Sequence, residues 1–440
     1  MERFFQVKEH GSTVKTEIMA GITTFMAMAY ILMVNAGMFA DPFGDGTNVL
    51  GVSYGAVYVA TAISAVVGTL LIGFLSNLPL AQASGMGLNA YFVYTVCVGM
   101  GLSYTNALVL VLFDGVIFVL LTVTGLRKLI FDAIPHSVKV AISSGIGLFI
   151  AFIGLQNAGI VVNSSSTCVT LHSFNVFTGT ETWATIFPML ITILAVFAIG
   201  AMSKKKVRGA VLWGILGAAV VYYAVGLLTV PGFYASAVAP NLTSDFFGAF
   251  RDFGTQSFLA VFKTGFDFSG YIAANGVGPF VIMLLTTMLA FCMVDMFDTL
   301  GTLYGACSAG GLLDKDGNVP NMDRAMLADA CATCVGAACG TSTVTTFVES
   351  SAGVAEGGRT GLSSMATAAM FFIAMFLSPV AQLIPTYACA AALIYVGVLM
   401  MSNVRNIDWD DPAAAVTGFV TVAFMPLTYN ISYGIAFGLI

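Results

Sequence analysis

Charged residues are scarce in this sequence of 440 residues. They make up 9% of it, against about 25% in soluble globular domains, whereas hydrophobic residues make up 58%. Such a chain cannot turn most of its surface to water. Apolar runs of about 20 residues, long enough to cross a bilayer as a helix, recur along it. We therefore predict one all-α polytopic membrane domain.

Signatures of other protein classes are missing. The first fifteen residues are charged and contain no apolar core, which excludes a secretory signal and predicts a cytoplasmic tail. The net charge of −6 comes from scattered acids, so no nucleic-acid partner is predicted. Cys331, Cys334 and Cys339 have no histidine near them, and we predict no metal, disulfide framework or bound cofactor. Enzyme motifs are also lacking, so we predict that the protein is not an enzyme.

The apolar runs predict fourteen membrane spans. Ten are clear and lie near 16–38, 54–78, 103–125, 138–158, 183–203, 209–229, 278–305, 362–384, 387–402 and 412–428. Four are short or interrupted and lie at 83–101, 324–339, 340–355 and 431–440. The last is about half the length that a bilayer requires, so we expect the fourteenth span to be truncated.

Basic residues between the spans predict the orientation, because Lys and Arg near helix ends are retained in the cytoplasm. If the N-terminus is inside, the basic residues that follow even-numbered spans are Arg127, Lys128, Lys139, Lys204, Lys205, Lys206, Arg208, Lys315, Arg324, Arg359 and Arg405. Arg251 and Lys263 are exceptions, but they lie in a long loop, 230–276, and long loops translocate largely regardless of charge. We predict a plasma (inner) membrane protein with a cytoplasmic N-terminus.

Polar residues interrupt the third and the tenth span. The interruptions begin 340 − 82 = 258 residues apart, and the first spans of the two halves begin 278 − 16 = 262 residues apart. This agreement predicts two inverted repeats of seven spans, in which interrupted segments mark the substrate site. The β-branched stretch 341–346 favours an extended backbone. Its polar groups must be buried in protein, pair with a strand of the third span, or face a water-filled cavity.

Acidic residues inside the spans each cost about 3 kcal/mol at mid-membrane and need an explanation. They are Asp114, Asp295, Asp298, Asp329 and Glu349. We predict that Asp295 and Glu349 bind substrate, and that the others bond the broken backbone or take part in coupling. Thr299 shares the polar helix face of Asp295 and Asp298.

Two further features concern the solute and the driving ion. Asn89 holds the position in the third span that best corresponds to the region of Glu349, and its side chain can both donate and accept hydrogen bonds. A buried carboxyl group favours its protonated form, so protonation outside and proton loss inside would give proton symport. Sodium is the alternative, because Asp, Thr and carbonyl oxygens could bind it.

Four motifs resemble the nucleobase/cation symporter family of xanthine, uric acid and uracil permeases, and most closely its AzgA-like guanine/hypoxanthine/adenine branch. They are GITTFMAMAY at 21–30, GMGLNAYF at 85–92, DMFDTLGTLY at 295–304 and TVTTFVESSAG at 343–353. The resemblance spans nearly the whole chain. It implies a membrane carrier that imports a purine nucleobase by cation symport.

The resemblance also implies a uracil-permease-like fold with short antiparallel strands in spans three and ten. Its core domain would comprise 16–125 and 278–384, and its gate domain 138–229 and 387–440. Asp295, Glu349 and Asn89 would recognise the purine, Phe92 or Phe347 would stack on it, and the gate domain would form a homodimer. Thr299 stands where the uracil-type permease has a histidine, so a coupling role for that histidine does not carry over.

Rival functions are less compatible with the sequence. A sulfate or bicarbonate carrier of similar fold would be expected to lack acids on both central spans. An intramembrane aspartyl protease needs a Gly-x-Gly-Asp signature, which is missing. The pattern alone does not separate a carrier from a channel or a receptor.

Overall fold

The computed structural model describes residues 2–44, 46–125, 135–175, 181–239, 245, 247–309, 311–315 and 318–440. The fold is mostly helical, as predicted. Within the described residues, nine helices are long and apolar enough to cross a membrane. Arg127 and Lys128, which supported the predicted orientation, lie outside the described residues.

Within the described residues, the first half of the chain contains eight α-helices and three short strands. They are α1 (Val14–Met28), α2 (Tyr30–Ala40), α3 (Tyr54–Ser76), β1 (Gln82–Ser84), α4 (Met86–Ala90), α5 (Tyr104–Thr124), α6 (His136–Asn157), β2 (Val161–Ser164), β3 (Cys168–Leu171), α7 (Trp183–Lys204) and α8 (Ala210–Thr229). A π-helical segment, Tyr91–Gly99, continues α4. The antiparallel hairpin of β2 and β3 was not predicted.

The second half contains eleven helices and one strand within the described residues. They are α9 (Gly248–Asp252), α10 (Ala260–Lys263), α11 (Ser269–Asn275), α12 (Val277–Ala309), α13 (Met322–Cys339), β4 (Val344–Thr346), α14 (Ser350–Ala355), α15 (Gly361–Ala374), α16 (Ser378–Ala381), α17 (Thr386–Met401), α18 (Pro412–Thr428) and α19 (Ile431–Leu439). Helices α9 to α11 occupy the segment that was predicted as a long loop.

Each predicted span corresponds to one or more of these elements. The first is α1 and α2, which adjoin at Ala29, and the two interrupted spans are strands followed by helices. Helix α12 begins 277 − 14 = 263 residues after α1, and β4 begins 344 − 82 = 262 residues after β1. The constant offset agrees with the predicted inverted repeats.

Strands β1 and β4 pair antiparallel in the protein interior, with Gln82 opposite Thr346 and Ser84 opposite Val344. Two more backbone bonds extend the pairing, because Gly85 N donates to Thr343 O at 2.9 Å and Phe347 N to Ala81 O at 3.0 Å. Strand pairing, one of the three possibilities left open for the broken backbone, is therefore observed within the buried interior. It satisfies peptide groups that lipid could not.

A glycine of α3 allows the strand pair to lie close to that helix. A Cβ atom added at Gly68 would lie 3.0 Å from Gln82 Oε1 and 3.1 Å from Val344 Cγ1. Both distances are tighter than usual carbon contacts, so a side chain at this position would push the strands away. Small residues at such contacts are typical of helices packed within a membrane.

The spanning helices pack in two groups. One group contains α1 to α5 with α12 to α15, and the other contains α6 to α8 with α17 to α19. Within the second group, Gly147 of α6 and Gly397 of α17 face each other so closely that a Cβ atom at either would clash with the partner backbone. We name these the core group and the gate group.

Candidate functional site

A cavity of about 810 Å³ is lined by both groups at the level of the strand pair. The core group contributes residues of β4 and α12, and the gate group contributes Ile146 and Val396. Lys139, Ser203 and Asn403 also line it, at helix ends that adjoin the basic segments. In the predicted orientation, the cavity therefore extends towards the cytoplasmic side.

Glu349 lines this cavity and is held by a tyrosine from the first span. It lies directly before α14 and is partly exposed, and Tyr30 Oη donates to its Oε1 at 2.7 Å. Tyr30 is itself buried and stands at the first residue of α2, where the first span is interrupted. The sequence reasoning did not identify Tyr30 as a site residue. The feature of the sequence that could have indicated Tyr30 is its hydroxyl group in the middle of an apolar span.

Asp298 is the second carboxylate of the cavity. It is partly exposed, and Thr345 Oγ1 of β4 donates to its Oδ2 at 3.3 Å. It is close enough to Glu349 for the two carboxylates to interact electrostatically. Phe347, which lies between β4 and α14 in the sequence, also lines the cavity. Two acids and an aromatic ring thus share one cavity.

A sequence model of the permease family, Xan_ur_permease, matches residues 15–437. The chain belongs to this permease family. Its sequence is 39% identical to the guanine/hypoxanthine permease PbuG of Bacillus subtilis (strain 168), over 100% of this chain and 92% of that protein. It is 35% identical to the adenine permease AdeQ of Escherichia coli (strain K12), over 100% and 88%. The members are named as transporters, and the chain is therefore not an enzyme.

Solved structures with the same fold include a bicarbonate transporter domain and an anion transporter. The permease superposes on the transmembrane domain of a cyanobacterial bicarbonate transporter, BicA, with a TM-score of 0.60, 14% identity and coverage of 96% of both chains. It superposes on murine Slc26a9 with a TM-score of 0.59 and 13% identity, covering 97% of this chain and 67% of that one. At such low identity the likeness establishes the inverted-repeat fold alone.

Three of the residues predicted to bind substrate lie away from the cavity wall of the permease. Asp295 is fully buried one helical turn before Asp298. Asn89 is buried and accepts hydrogen bonds from the hydroxyls of Ser84, at 2.8 Å, and Ser342. Phe92 stacks on Phe39 with 5.0 Å between the ring centroids. The structure therefore brings Glu349 and Phe347 to the cavity, but not these three.

Asp329 of α13 ties the strand pair to α12. Its Oδ2 accepts from Thr299 Oγ1 at 2.6 Å, and its Oδ1 accepts from Gln82 Nε2 at 2.9 Å and Thr346 Oγ1 at 3.1 Å. One carboxylate thus joins both strands of the permease to two helices. Thr299 is buried and serves as a donor to Asp329, and neither residue lines the cavity.

No group of three or more His, Cys, Asp or Glu side chains in the described residues is arranged to hold a metal ion. The carboxyl groups that line the strand side of the cavity are Asp298 and Glu349, and Lys139 lines the cavity at a helix end. The chemistry available beside the strands is recognition of hydrogen-bond donors and cations. An anion site would require positive charge or backbone donors at that place.

Proposed function

We propose that this permease imports purine nucleobases, namely hypoxanthine and guanine or adenine, by cation symport with a proton. The observation that carries the proposal is the pair of carboxylates, Asp298 and Glu349, that faces one cavity beside Phe347. The guanine/hypoxanthine and adenine permeases among the relatives support the substrate class. The protein would lie in the plasma membrane with its N-terminus in the cytoplasm.

The purine edge fits the two carboxylates chemically. Ring N–H and exocyclic NH₂ groups are donors, and carboxylate oxygens accept such bonds more strongly than neutral acceptors do. Tyr30 engages Oε1 of Glu349 and thereby fixes the orientation of that carboxyl group. The ring of Phe347 offers an apolar face to the flat heterocycle. A cavity of about 810 Å³ is within the usual range for small-molecule sites.

This proposal uses Asp298 in the place that the sequence reasoning gave to Asp295. Asp298 is partly exposed on the cavity wall, whereas Asp295 is buried behind it. Asn89 and Phe92 then act indirectly. They support the strand pair and its flanking helices, which position the residues that contact the solute.

An anion carrier is the main rival, because the fold is shared with bicarbonate and SLC26-type transporter domains. An anion could approach Lys139, which lines the cavity at a helix end, but beside the strands it would meet Asp298 and Glu349 and be repelled by like charge. Neutral or cationic donors would be attracted. The fold is therefore common to both substrate classes, and the two acids favour the nucleobase.

Uptake of radiolabelled solutes tests the substrate. In cells that lack purine uptake, the wild type should accumulate at least one of hypoxanthine, guanine, adenine and xanthine. Glu349→Gln and Asp298→Asn should each lower uptake at least tenfold, because a charge-assisted acceptor is lost. Asp410→Asn, at an exposed acid that does not line the cavity, is the matched control and should leave uptake unchanged.

Two outcomes would contradict this proposal. If both cavity variants keep wild-type uptake and affinity at equal surface expression, the carboxylate site is wrong. If the wild type accumulates sulfate or bicarbonate and none of the four purines, the substrate class is wrong.

The same assay with acidic or sodium-containing outer buffer separates proton from sodium coupling. The core and gate groups as functional domains, and a homodimer formed through the gate group, remain part of the proposal.

A further inference from the structure

A second pair of acids lies behind the cavity and has no hydrogen-bond partners. Asp114 of α5 and Asp295 of α12 are both fully buried. Within the described residues, neither oxygen of either carboxyl group has a hydrogen-bond partner. Asp329, equally buried, accepts three hydrogen bonds. The contrast shows that burial in this core does not by itself deprive a carboxylate of donors.

The surroundings of the pair contain acids and thiols. Asp114 and Asp295 lie within electrostatic reach of each other. The ionisable groups that face them from α12 and α13 are Asp298, Asp329, Cys292 and Cys334. None of these groups is a cation. Ion pairs elsewhere in the described residues include those of Lys8 with Glu2, His172 with Glu181, Arg208 with Glu356 and Arg251 with Asp245.

A further buried polar atom adjoins the pair. The hydroxyl of Thr343 is fully buried and lies beside Asp114 as a weak potential donor, but it makes no hydrogen bond of ordinary geometry within the described residues. Thr343 immediately precedes β4, so it connects the acid pair to the strand that lines the cavity. The arrangement is thus a cluster of unpartnered oxygens and not an accidental single group.

Two ionised carboxylates cannot remain side by side in such an environment. A buried charge needs a counter-charge or several donors, and two like charges raise the cost further. A metal ion would require a set of ligating side chains that the described residues do not arrange. We propose that Asp114 and Asp295 form a proton-binding site, separate from the substrate cavity, whose carboxyl groups are protonated in this conformation. This inference rests on the proposed symport and identifies where its proton is held.

The chain offers a route between this site and the cavity. Asp298 lies one helical turn after Asp295 on α12 and reaches the cavity wall. On release, the O–H bond of Asp295 would break as one forms on Asp298, which then passes the proton to cavity water. Asp295 is left as a carboxylate until it is protonated again. The transfer moves only protons and needs no oxidant or reductant.

Infrared spectroscopy of the purified protein tests the protonation without any transport. At neutral pH the wild type should show the carbonyl-stretch band of buried protonated carboxyl groups. Asp114→Asn and Asp295→Asn should each remove part of that band, and the double variant should remove the sum. Asp410→Asn, at an exposed acid, should leave it unchanged. A band of equal intensity in the wild type, the two single variants and the double variant would overturn the proposal.

Proteoliposomes test the role in coupling. With hypoxanthine, guanine or adenine as solute, an inward proton gradient should raise wild-type accumulation above the gradient-free level and acidify an enclosed pH dye. In Asp114→Asn the ratio of gradient-driven uptake to solute exchange should fall at least tenfold. Asp114→Glu, which keeps a titratable group, should recover part of it.

The outcomes separate the two proposals. If Asp114→Asn retains gradient-driven accumulation and dye acidification at the wild-type ratio, the proton-binding site is refuted while purine transport stands. If a sodium gradient and not a proton gradient drives the wild type, the proton is the wrong ion for this site. If the wild type exchanges no purine, the proposed function fails, and the infrared measurement still decides whether the pair is protonated.

Discussion

Two equally buried acids, Asp329 and Asp114, should differ in how much stability the protein loses when each is replaced by asparagine. Asp329 accepts three hydrogen bonds, from Thr299, Gln82 and Thr346, whereas Asp114 accepts none within the described residues. Replacement of Asp by Asn keeps the shape and removes the ability to ionise. Asp329→Asn should therefore destabilise the protein, and Asp114→Asn should not.

The hydrogen bonds give the magnitude. Asparagine has one acceptor oxygen where aspartate has two, so Asp329→Asn turns either the bond from Thr299 or the bonds from Gln82 and Thr346 into contacts between donors. A buried donor left without an acceptor costs about 1–3 kcal/mol, so the substitution should cost about 3 kcal/mol. Asp114→Asn exchanges one neutral group for another and should change stability by less than about 1 kcal/mol. A protonated Asp114 and an asparagine have nearly the same size and both carry a donor.

Thermal unfolding of detergent-solubilised protein provides the assay. Because unfolding of a large membrane protein is often irreversible, the variants should be compared with the wild type at one scan rate. Asp329→Asn should lower the Tm by several degrees, and Asp114→Asn should leave it nearly unchanged. Equal losses in both variants would refute the assignment of Asp329 as a hydrogen-bonded anchor and of Asp114 as a neutral acid without strong donors. A greater loss in Asp114→Asn would reverse it.

Three other predictions follow from single contacts. Tyr30→Phe removes the donor to Glu349 and should raise the KM for purine uptake about tenfold, equivalent to about 1.4 kcal/mol, with unchanged expression; an unchanged KM would contradict the positioning role. Gly68→Leu should prevent the strands from seating on α3 and abolish the monodisperse peak in size-exclusion chromatography, whereas a normal peak would disprove the close packing. Arg208→Ala removes an exposed ion pair with Glu356 and should change stability by less than about 1 kcal/mol in thermal unfolding at low salt; a larger loss would show that the pair is shielded from solvent.

The broken spans were predictable because their composition conflicts with a membrane helix. Thr343 to Thr346 contains β-branched residues in succession, and such a segment in lipid must find backbone partners within the protein. The matching interruption in the third span supplied the candidate partner strand. The register, with Gln82 opposite Thr346, was not predictable, because it depends on how α3 and α13 hold the strands.

The sequence pattern does not determine whether Asp295 or Asp298 reaches the cavity. Residues three apart lie near the same helix face, so both acids belong to one polar stripe. Which of them reaches the cavity depends on the height of α12 relative to β4 and on its rotation about its axis. Thr345 of β4 donates to Asp298, and this contact joins residues far apart in the sequence. Tyr30 was missed for the same reason, since its partner Glu349 lies 319 positions away.

The acids of the core therefore differ in function because they differ in their hydrogen-bond partners. Asp329 is saturated with donors and anchors the strands. Glu349 keeps one donor and faces the cavity, where a solute can supply others. Asp114 and Asp295 have none within the described residues, so protonation is the means by which their charge is removed. Since Asp298 stands between the unpartnered pair and the cavity, solute bound at Asp298 would block proton exchange between the two. If the proton leaves through Asp298 as proposed, the solute would have to be released to the cytoplasm before the proton.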